Sequence, residues 1–113
     1  YLSLFDNIPA WDAAKAAIHK LAIATRAQGA KLVIVSWPEL HDVQHYRLQK
    51  IIDLARGVAE SEGVPFIDLL EPVKGMESSK LWLTVPDPHP NAYTNGLYAD
   101  YLYPRFKDLL ATH

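Results

Sequence analysis

The chain has 113 residues, half of them hydrophobic and 21% of them charged, with a formal net charge of −2 at pH 7. This profile is typical of a single globular domain; it lacks the basic excess of a nucleic-acid-binding surface, and its longest apolar runs are far too short to span a membrane. Because the sequence contains no cysteine, disulfides, thiolate nucleophiles and cysteine-based zinc sites are excluded.

The first predicted element is a helix over residues 10–28. The segment is rich in alanine, the residue with the highest helix propensity, and Gly29 stands where a helix commonly ends. Its larger apolar residues recur at helical spacing and predict one buried face. That face consists of Trp11, Ile18, Leu21 and Ala22.

A strand is predicted next, over residues 31–36, because this run is apolar and β-branched without alternation. Such a pattern is typical of a strand buried on both faces of a parallel sheet. A second helix is predicted over residues 43–61 from its amphipathic spacing. The apolar stripe of this helix consists of Tyr46, Leu48, Ile51, Ile52, Ala55 and Ala59.

The second half of the chain starts with a predicted short strand over residues 66–70 and a loop over residues 71–80. An extended segment at 81–85 and a final helix from about 91–95 to 110, kinked by Pro104, complete the pattern. The alternation of helices and strands predicts an α/β fold with a parallel sheet. The apolar first strand requires neighbours on both edges, and the sequence offers it one clear parallel neighbour.

The proline-rich segment after the extended stretch carries the strongest chemical signal. Asp87 and His89 stand two residues apart between three prolines, each of which fixes its own φ and disfavours helix in the residue before it. A general base needs one ring orientation and one tautomer, which a carboxylate beside Nδ1 provides. We therefore predict that His89 is a general base oriented by Asp87. The alternative is an ordinary proline-rich loop with a solvent-exposed histidine.

The pattern Asp-x-His-Pro-Asn-x-x-x-x-Gly over residues 87–96 resembles the final block of the SGNH (GDSL-type) hydrolases. The resemblance extends more loosely over residues 10–111 and matches the C-terminal half of that family. It implies a three-layer, flavodoxin-like sandwich with a parallel sheet, in one partial domain over residues 1–113. It also implies a serine ester hydrolase or acyl-ester transferase in which His89 and Asp87 complete the catalytic triad, with no cofactor.

The resemblance also implies that the serine nucleophile lies outside this segment. The family's Gly-Asp-Ser block is not found in the 113 residues, and the serines occur in none of its nucleophile contexts. We therefore expect the segment to be inactive alone and to need an N-terminal half or another chain to complete its sheet. The substrate would be a small-molecule, carbohydrate or lipid acyl ester. The serines are Ser3, Ser36, Ser61, Ser78 and Ser79.

Two other classes of function remain open at this stage. The chain could be a non-catalytic α/β binding module, for example for carbohydrate. His41 and His45, four residues apart, could bind a metal, although we expect them to be metal-free near the pocket mouth. Substrate contacts are predicted for Trp37 and His41, which follow the first strand, and for Tyr93, four residues after His89.

The remaining polar and aromatic residues are interpreted as structural. Asp68, flanked by apolar residues, needs a hydrogen-bond donor, for which Arg47 is one candidate. His113, at the end of the chain, has no predicted role. The aromatic residues of the last helix are predicted to pack in the core. These are Tyr93, Tyr98, Tyr101, Tyr103 and Phe106.

Overall fold

The computed structural model describes residues 8–111, which form a mixed α/β structure with three α-helices and two small sheets. Ser3 and His113 lie outside the described residues. Two 3₁₀ turns occupy the predicted loop, at Glu71–Val73 and Ser78–Lys80. The elements in chain order are α1 (Ile8–Ala27), β1 (Ile34–Ser36), α2 (Gln49–Ser61), β2 (Phe66–Asp68), β3 (Trp82–Thr84), β4 (Asp87–Pro90) and α3 (Ala92–Ala111).

Strands β1 and β2 form a parallel pair, as the sequence predicted. The Ile34 N–H donates to the Pro65 carbonyl and the Leu69 N–H donates to the Ser36 carbonyl, each at 3.0 Å. Within residues 8–111, β2 is the only strand that pairs with β1. The prediction that β1 is buried on both faces is wrong for the described part of the chain, where the strand is half-buried because its second edge has no paired strand there.

The chain divides into two compact units, of which the first contains the described residues up to Val35 together with Leu48–Ile67. Helix α1 contributes a single buried residue to the core of this unit, Ala22. The predicted apolar face of α1 is therefore only partly correct: Leu21 is 50% exposed. The buried hydrophobic residues of this unit are Ala22, Ile52, Val58, Ala59, Val64 and Ile67. Leu32, Ile34 and Phe66 pack against the cluster formed by Ala22, Ala59 and Val64.

The start of α2 differs from its prediction by six residues, because side-chain oxygens capture backbone donors ahead of the helix. In the second unit the Val43 N–H donates to Ser78 Oγ at 2.9 Å, and the His45 N–H donates to Asp42 Oδ1 at 3.0 Å. Polar side chains that bond backbone N–H groups in this way favour turns over helix. Residues 43–48 accordingly form turns, and α2 begins at Gln49.

The second unit contains residues 36–47 and the described residues from Asp68 onward. Strands β3 and β4 form an antiparallel hairpin in which Trp82 pairs with Pro90 and Thr84 with Asp87, with a bulge between them. The extended conformation of the proline-rich segment was predicted, whereas its pairing with β3 was not. A two-stranded sheet accommodates the prolines because each strand has an edge that needs no donor.

Helix α3 buries two residues, Thr94 and Tyr98. The prediction that its aromatic residues are core residues is correct for Tyr98 and wrong for Tyr103 and Phe106, which are 70% and 39% exposed. It is also wrong for Tyr93, at 57% exposed. These side chains lie on faces of the helix that no described segment covers, so a helical aromatic spacing does not here mark a single core face.

Asp68, the last residue of β2, is buried, and its Oδ1 accepts a hydrogen bond from the Leu70 N–H at 2.9 Å. A donor is therefore present for this carboxylate, and the bond shapes the turn that follows the strand. Among residues 8–111 no helix combines the length and apolar character required to cross a bilayer.

Candidate active site

Strand β4 presents Asp87 and His89 on the hairpin of the second unit. In an extended strand, residues two apart point to the same face. The His89 N–H donates to Asp87 Oδ1 at 3.2 Å, and the same oxygen forms a short hydrogen bond with the ring Nδ1. The predicted contact between the carboxylate and the imidazole is confirmed.

The hydrogen bonds of this pair favour the ionised form of the Asp87 carboxyl group. The hydrogen bond from the His89 ring, followed by that from the His89 backbone N–H, lowers the pKa of Asp87 from its ordinary value of 3.8. Asp87 is thus a carboxylate at neutral pH, and a carboxylate only accepts hydrogen bonds. In the neutral ring this carboxylate favours the tautomer with the proton on Nδ1, which leaves the lone pair on Nε2.

A cavity of about 340 Å³ lies beside this pair, between the hairpin and the loop that follows β1. Its wall is mostly apolar, and His89 contributes the imidazole. The lining residues are Trp37, Pro38, Glu39, Leu40, Pro88, His89 and Pro90.

The pair is open to a reactant approaching from solvent. The His89 side chain is 81% exposed and that of Asp87 is 47% exposed. This exposure leaves Nε2 accessible, whereas the Nδ1 side of the ring is held by the carboxylate. The arrangement can accept a proton at one stated atom, which is what a general base requires.

The hairpin is anchored to α3 by Asn91, which sequence reasoning missed. The Asn91 amide donates to the carbonyls of Lys80, at 2.8 Å, and Trp82, at 3.3 Å. Its Oδ1 accepts the Thr94 N–H at 2.9 Å, which makes Asn91 the N-cap of the helix. The signal was present in the sequence, since asparagine directly before a helical segment is a preferred cap.

Thr94 continues this anchor into the core. It is fully buried, and its hydroxyl donates to the Leu81 carbonyl at 2.7 Å. The Asn91 N–H donates to the same carbonyl at 2.9 Å. The Leu81 carbonyl, just before β3, thus accepts hydrogen bonds from two donors at the start of α3. These two bonds fix the position of the hairpin that carries His89 relative to the helix.

The loop over residues 37–46 is held by three contacts within the second unit. The Trp37 ring packs edge-on against Tyr98, with centroids 6.5 Å apart and planes at 87°. The Glu39 N–H donates to the Tyr46 hydroxyl at 3.0 Å. The His41 ring lies 5.8 Å from the Trp82 ring. These contacts fix the side of the pocket opposite His89.

Tyr98 lies behind Trp37 and is 3% exposed. Burial, with a smaller contribution from nearby Tyr46, raises the pKa of Tyr98 to about 12. Within the described part of the chain its hydroxyl has no hydrogen-bond partner. Removing that hydroxyl would therefore leave the contact with the Trp37 ring intact.

The remaining predicted site residues are only partly brought together. Trp37 lines the pocket, whereas His41 does not line it and follows the lining residue Leu40 in the sequence. Tyr93, on α3, is not among the lining residues, and neither is His45. Of the residues predicted to contact substrate, Trp37 is the one that lines the cavity, and it is 59% exposed.

His41 and His45 are each paired with a carboxylate. His41 Nδ1 contacts the Glu39 carboxylate, and His45 Nδ1 lies 3.5 Å from Asp42 Oδ2. The backbone N–H of His45 is the largest of the interactions that lower the pKa of Asp42. Across residues 8–111 no group of three or more histidine, aspartate or glutamate side chains is arranged to hold a metal ion.

None of the serines of the described residues lines the pocket. The Ser61 hydroxyl donates to the Val58 carbonyl at 2.8 Å, and Ser79 donates to Glu77 at 3.1 Å. Ser78 is buried and accepts the Val43 N–H. Ser36 ends β1, the strand that precedes the pocket loop.

No protein-family model, curated protein or solved structure matches the chain. The resemblance to the SGNH hydrolases therefore stands on the residues of the block around His89.

Proposed function

We propose that this chain supplies the acid–base half of a serine ester hydrolase or acyl-ester transferase of the SGNH type. The observation that carries the proposal is the Asp87–His89 pair, with the imidazole held at Nδ1 and exposed at Nε2 beside a cavity of about 340 Å³. His89 is the general base and then the general acid, and Asp87 holds its tautomer.

The proposed reaction proceeds through an acyl-enzyme. A serine hydroxyl from outside the 113 residues attacks the ester carbonyl, and His89 Nε2 takes the hydroxyl proton. Collapse of the tetrahedral adduct breaks the bond to the leaving alcohol, which receives that proton. Water, or an acceptor alcohol in a transferase, then attacks the acyl-enzyme with His89 again as base, and the serine regains its proton.

The proposed fold is a three-layer, flavodoxin-like sandwich in which β1 and β2 belong to a wider parallel sheet. The half-buried condition of β1 and the exposed apolar side chains of α1 support this proposal, since helices of such a fold cover the faces of a broader sheet. The missing strands and the nucleophile would come from an N-terminal half or from another chain.

The test compares two histidines that both contact a carboxylate. The polypeptide encoded by the coding region that includes this chain is assayed on p-nitrophenyl acyl esters as wild type, His89→Ala and His19→Ala. We expect His89→Ala to lower kcat by at least about 10³-fold, the usual result of removing a triad member. His19, which bonds Glu62 in the first unit, is the matched control and should leave kcat within about twofold.

Two results would contradict the proposal. Ester hydrolysis that survives His89→Ala would remove His89 from the mechanism. The serine hydrolase proposal would also be rejected if the coding region has no Gly-Asp-Ser block upstream and neither the encoded polypeptide nor its mixtures with co-encoded chains hydrolyse the esters.

A second candidate is a non-catalytic binding module, which the exposed Trp37 ring on the apolar cavity wall favours. Exposed aromatic rings of this kind stack against sugar rings and other flat apolar groups. In that case Trp37→Ala should abolish ligand binding, whereas His89→Ala should leave it within about twofold. The hydrolase proposal instead predicts that His89→Ala lowers kcat.

A further inference from the structure

Helix α3 carries a second apolar stripe that faces away from its buried side. The stripe runs in alternating steps of four and three residues, the spacing that keeps one face of a helix in line. All six members are exposed, whereas Thr94 and Tyr98 occupy the buried side. The outer stripe consists of Ala92, Gly96, Ala99, Tyr103, Phe106 and Leu110.

Residue size changes along the outer stripe. Its first half is small and its second half is large, with Tyr103 at the junction. A second α3 laid antiparallel, with the two Tyr103 side chains at the centre, places each Gly96 opposite Leu110 of the other copy. It also places Ala99 opposite Phe106. A parallel pairing would set small against small and large against large, which leaves voids that a packed interface does not tolerate.

The charges beside the outer stripe have the same symmetry. Asp100 and Lys107, both exposed, are seven residues apart and therefore lie on one flank of the stripe. In the antiparallel pairing centred on Tyr103, Asp100 of each copy faces Lys107 of the other. A two-fold interface repeats each contact, so the pairing forms two opposite-charge contacts and no like-charge contact on this flank.

Gly96 is not required by the chain's own packing. A Cβ at this position would meet no atom within 4 Å. Glycine lowers helix stability relative to alanine, so its presence inside α3 needs another reason. Close approach of a second helix supplies one, since the missing side chain leaves room for Leu110 of the other copy.

We propose that the outer stripe of α3 binds a second copy of this chain in an antiparallel, two-fold symmetric dimer. The size gradient, the charge symmetry and Gly96 all favour the same pairing. In this pairing the two helices face each other from Gly96 to Leu110, which spans about 21 Å at 1.5 Å per residue and is a small interface. We therefore expect a weak dimer, with a Kd on the order of 100 µM.

The experiment is sedimentation equilibrium of the chain at rising concentration, with charge variants that the two-fold axis makes diagnostic. Asp100→Lys alone and Lys107→Asp alone each create two like-charge contacts, and each should raise the Kd about tenfold. An equimolar mixture of the two variants restores opposite charges in both contacts. The mixture should therefore form heterodimers with a Kd near that of the wild type.

Asp108→Lys is the matched control, since it makes the same change of charge on the opposite side of α3 and should leave the Kd within about twofold. Circular dichroism verifies that each variant keeps the helix content of the wild type. A wild-type chain that stays monomeric up to about 1 mM, ten times the expected Kd, would overturn the proposal. So would single variants that dimerise as the wild type does, because the interface would then lie on another surface, such as the β1 edge.

Discussion

Two imidazole–carboxylate pairs in this molecule use the same chemical groups for different ends. In the first unit His19 Nδ1 bonds Glu62, with 2.9 Å to Oε2, across a sequence separation of 43 residues. In the second unit His89 bonds Asp87, two residues away on one strand. The first pair joins α1 to the residue that ends α2, and the second orients an imidazole beside a cavity.

The surroundings of the two carboxylates explain the difference. The Glu62 side chain is 15% exposed, and its backbone carbonyl also accepts a hydrogen bond from the Arg26 guanidinium. It is therefore held between two side chains of α1. The Asp87 side chain is 47% exposed and holds an exposed ring. A histidine–carboxylate contact thus links two helices in the first unit and orients an exposed ring in the second.

The sharpest way to break this comparison is to change each carboxylate to its amide. Under the proposed function, Asp87→Asn should lower kcat by about 10³- to 10⁴-fold, because an amide can donate to Nδ1 and so favours the wrong tautomer of His89. Glu62→Gln, the matched change at the other pair, should leave kcat within about twofold. The measurement is ester hydrolysis by the encoded polypeptide, with equal losses in the two variants counting against a special role for Asp87.

The two pairs also show how far the sequence could be read. Asp87–His89 was predictable because the contact is local and the flanking prolines leave the strand few alternatives. His19–Glu62 was not, since periodicity places His19 on a helix without saying which side chain of another element it meets. For the same reason the hairpin was not predicted: the sequence indicates that β3 is extended but does not show which strand it pairs with.

The boundaries of the elements follow the same rule. Helices α1 and α3 were predicted to within about two residues at each end, because their composition and caps are local signals. The start of α2 was wrong because Val43 is bonded by Ser78, a residue 35 positions away. The prediction that the aromatic residues of α3 pack in the core was wrong for the exposed ones, because helical spacing identifies a face of the helix and does not show what covers it.

The hairpin's anchor gives the largest expected effect on stability. Asn91→Ala removes the N-cap of α3 and both amide donors, and should lower the free energy of unfolding by about 2–3 kcal/mol. Asn91→Asp keeps the cap acceptor but sets a carboxylate oxygen, which cannot donate, against the Lys80 and Trp82 carbonyls, so it should also lower the free energy of unfolding, by at least about 1 kcal/mol. Urea unfolding measures both. A loss below about 0.5 kcal/mol for alanine would show that the hairpin does not depend on Asn91.

Tyr98 extends the comparison to alkaline pH, because it is a titratable group buried behind the pocket loop. Its pKa is raised to about 12 in the folded chain, against 10.0 for an ordinary tyrosine. Its contribution to stability is present below pH 10 and is lost as pH rises through about 12, since the unfolded chain gives up that proton first. Ultraviolet titration of tyrosinate in wild type and Tyr98→Phe should differ by one late-titrating group. A difference centred near pH 10 would place this hydroxyl in solvent.

The smallest expected effect belongs to the pair in the first unit. His19→Ala should lower the free energy of unfolding by about 0.3–1 kcal/mol, because His19 is 58% exposed and exposed ion pairs are weak and screened by salt. His45→Ala is the matched control, since that ring is 85% exposed and lies 3.5 Å from its carboxylate, so its removal should have a smaller effect. Urea unfolding at low and high salt distinguishes a charged tie from simple packing. If the His19 effect is unchanged by salt, the contact with Glu62 holds α1 through a hydrogen bond whose strength does not depend on an ion pair.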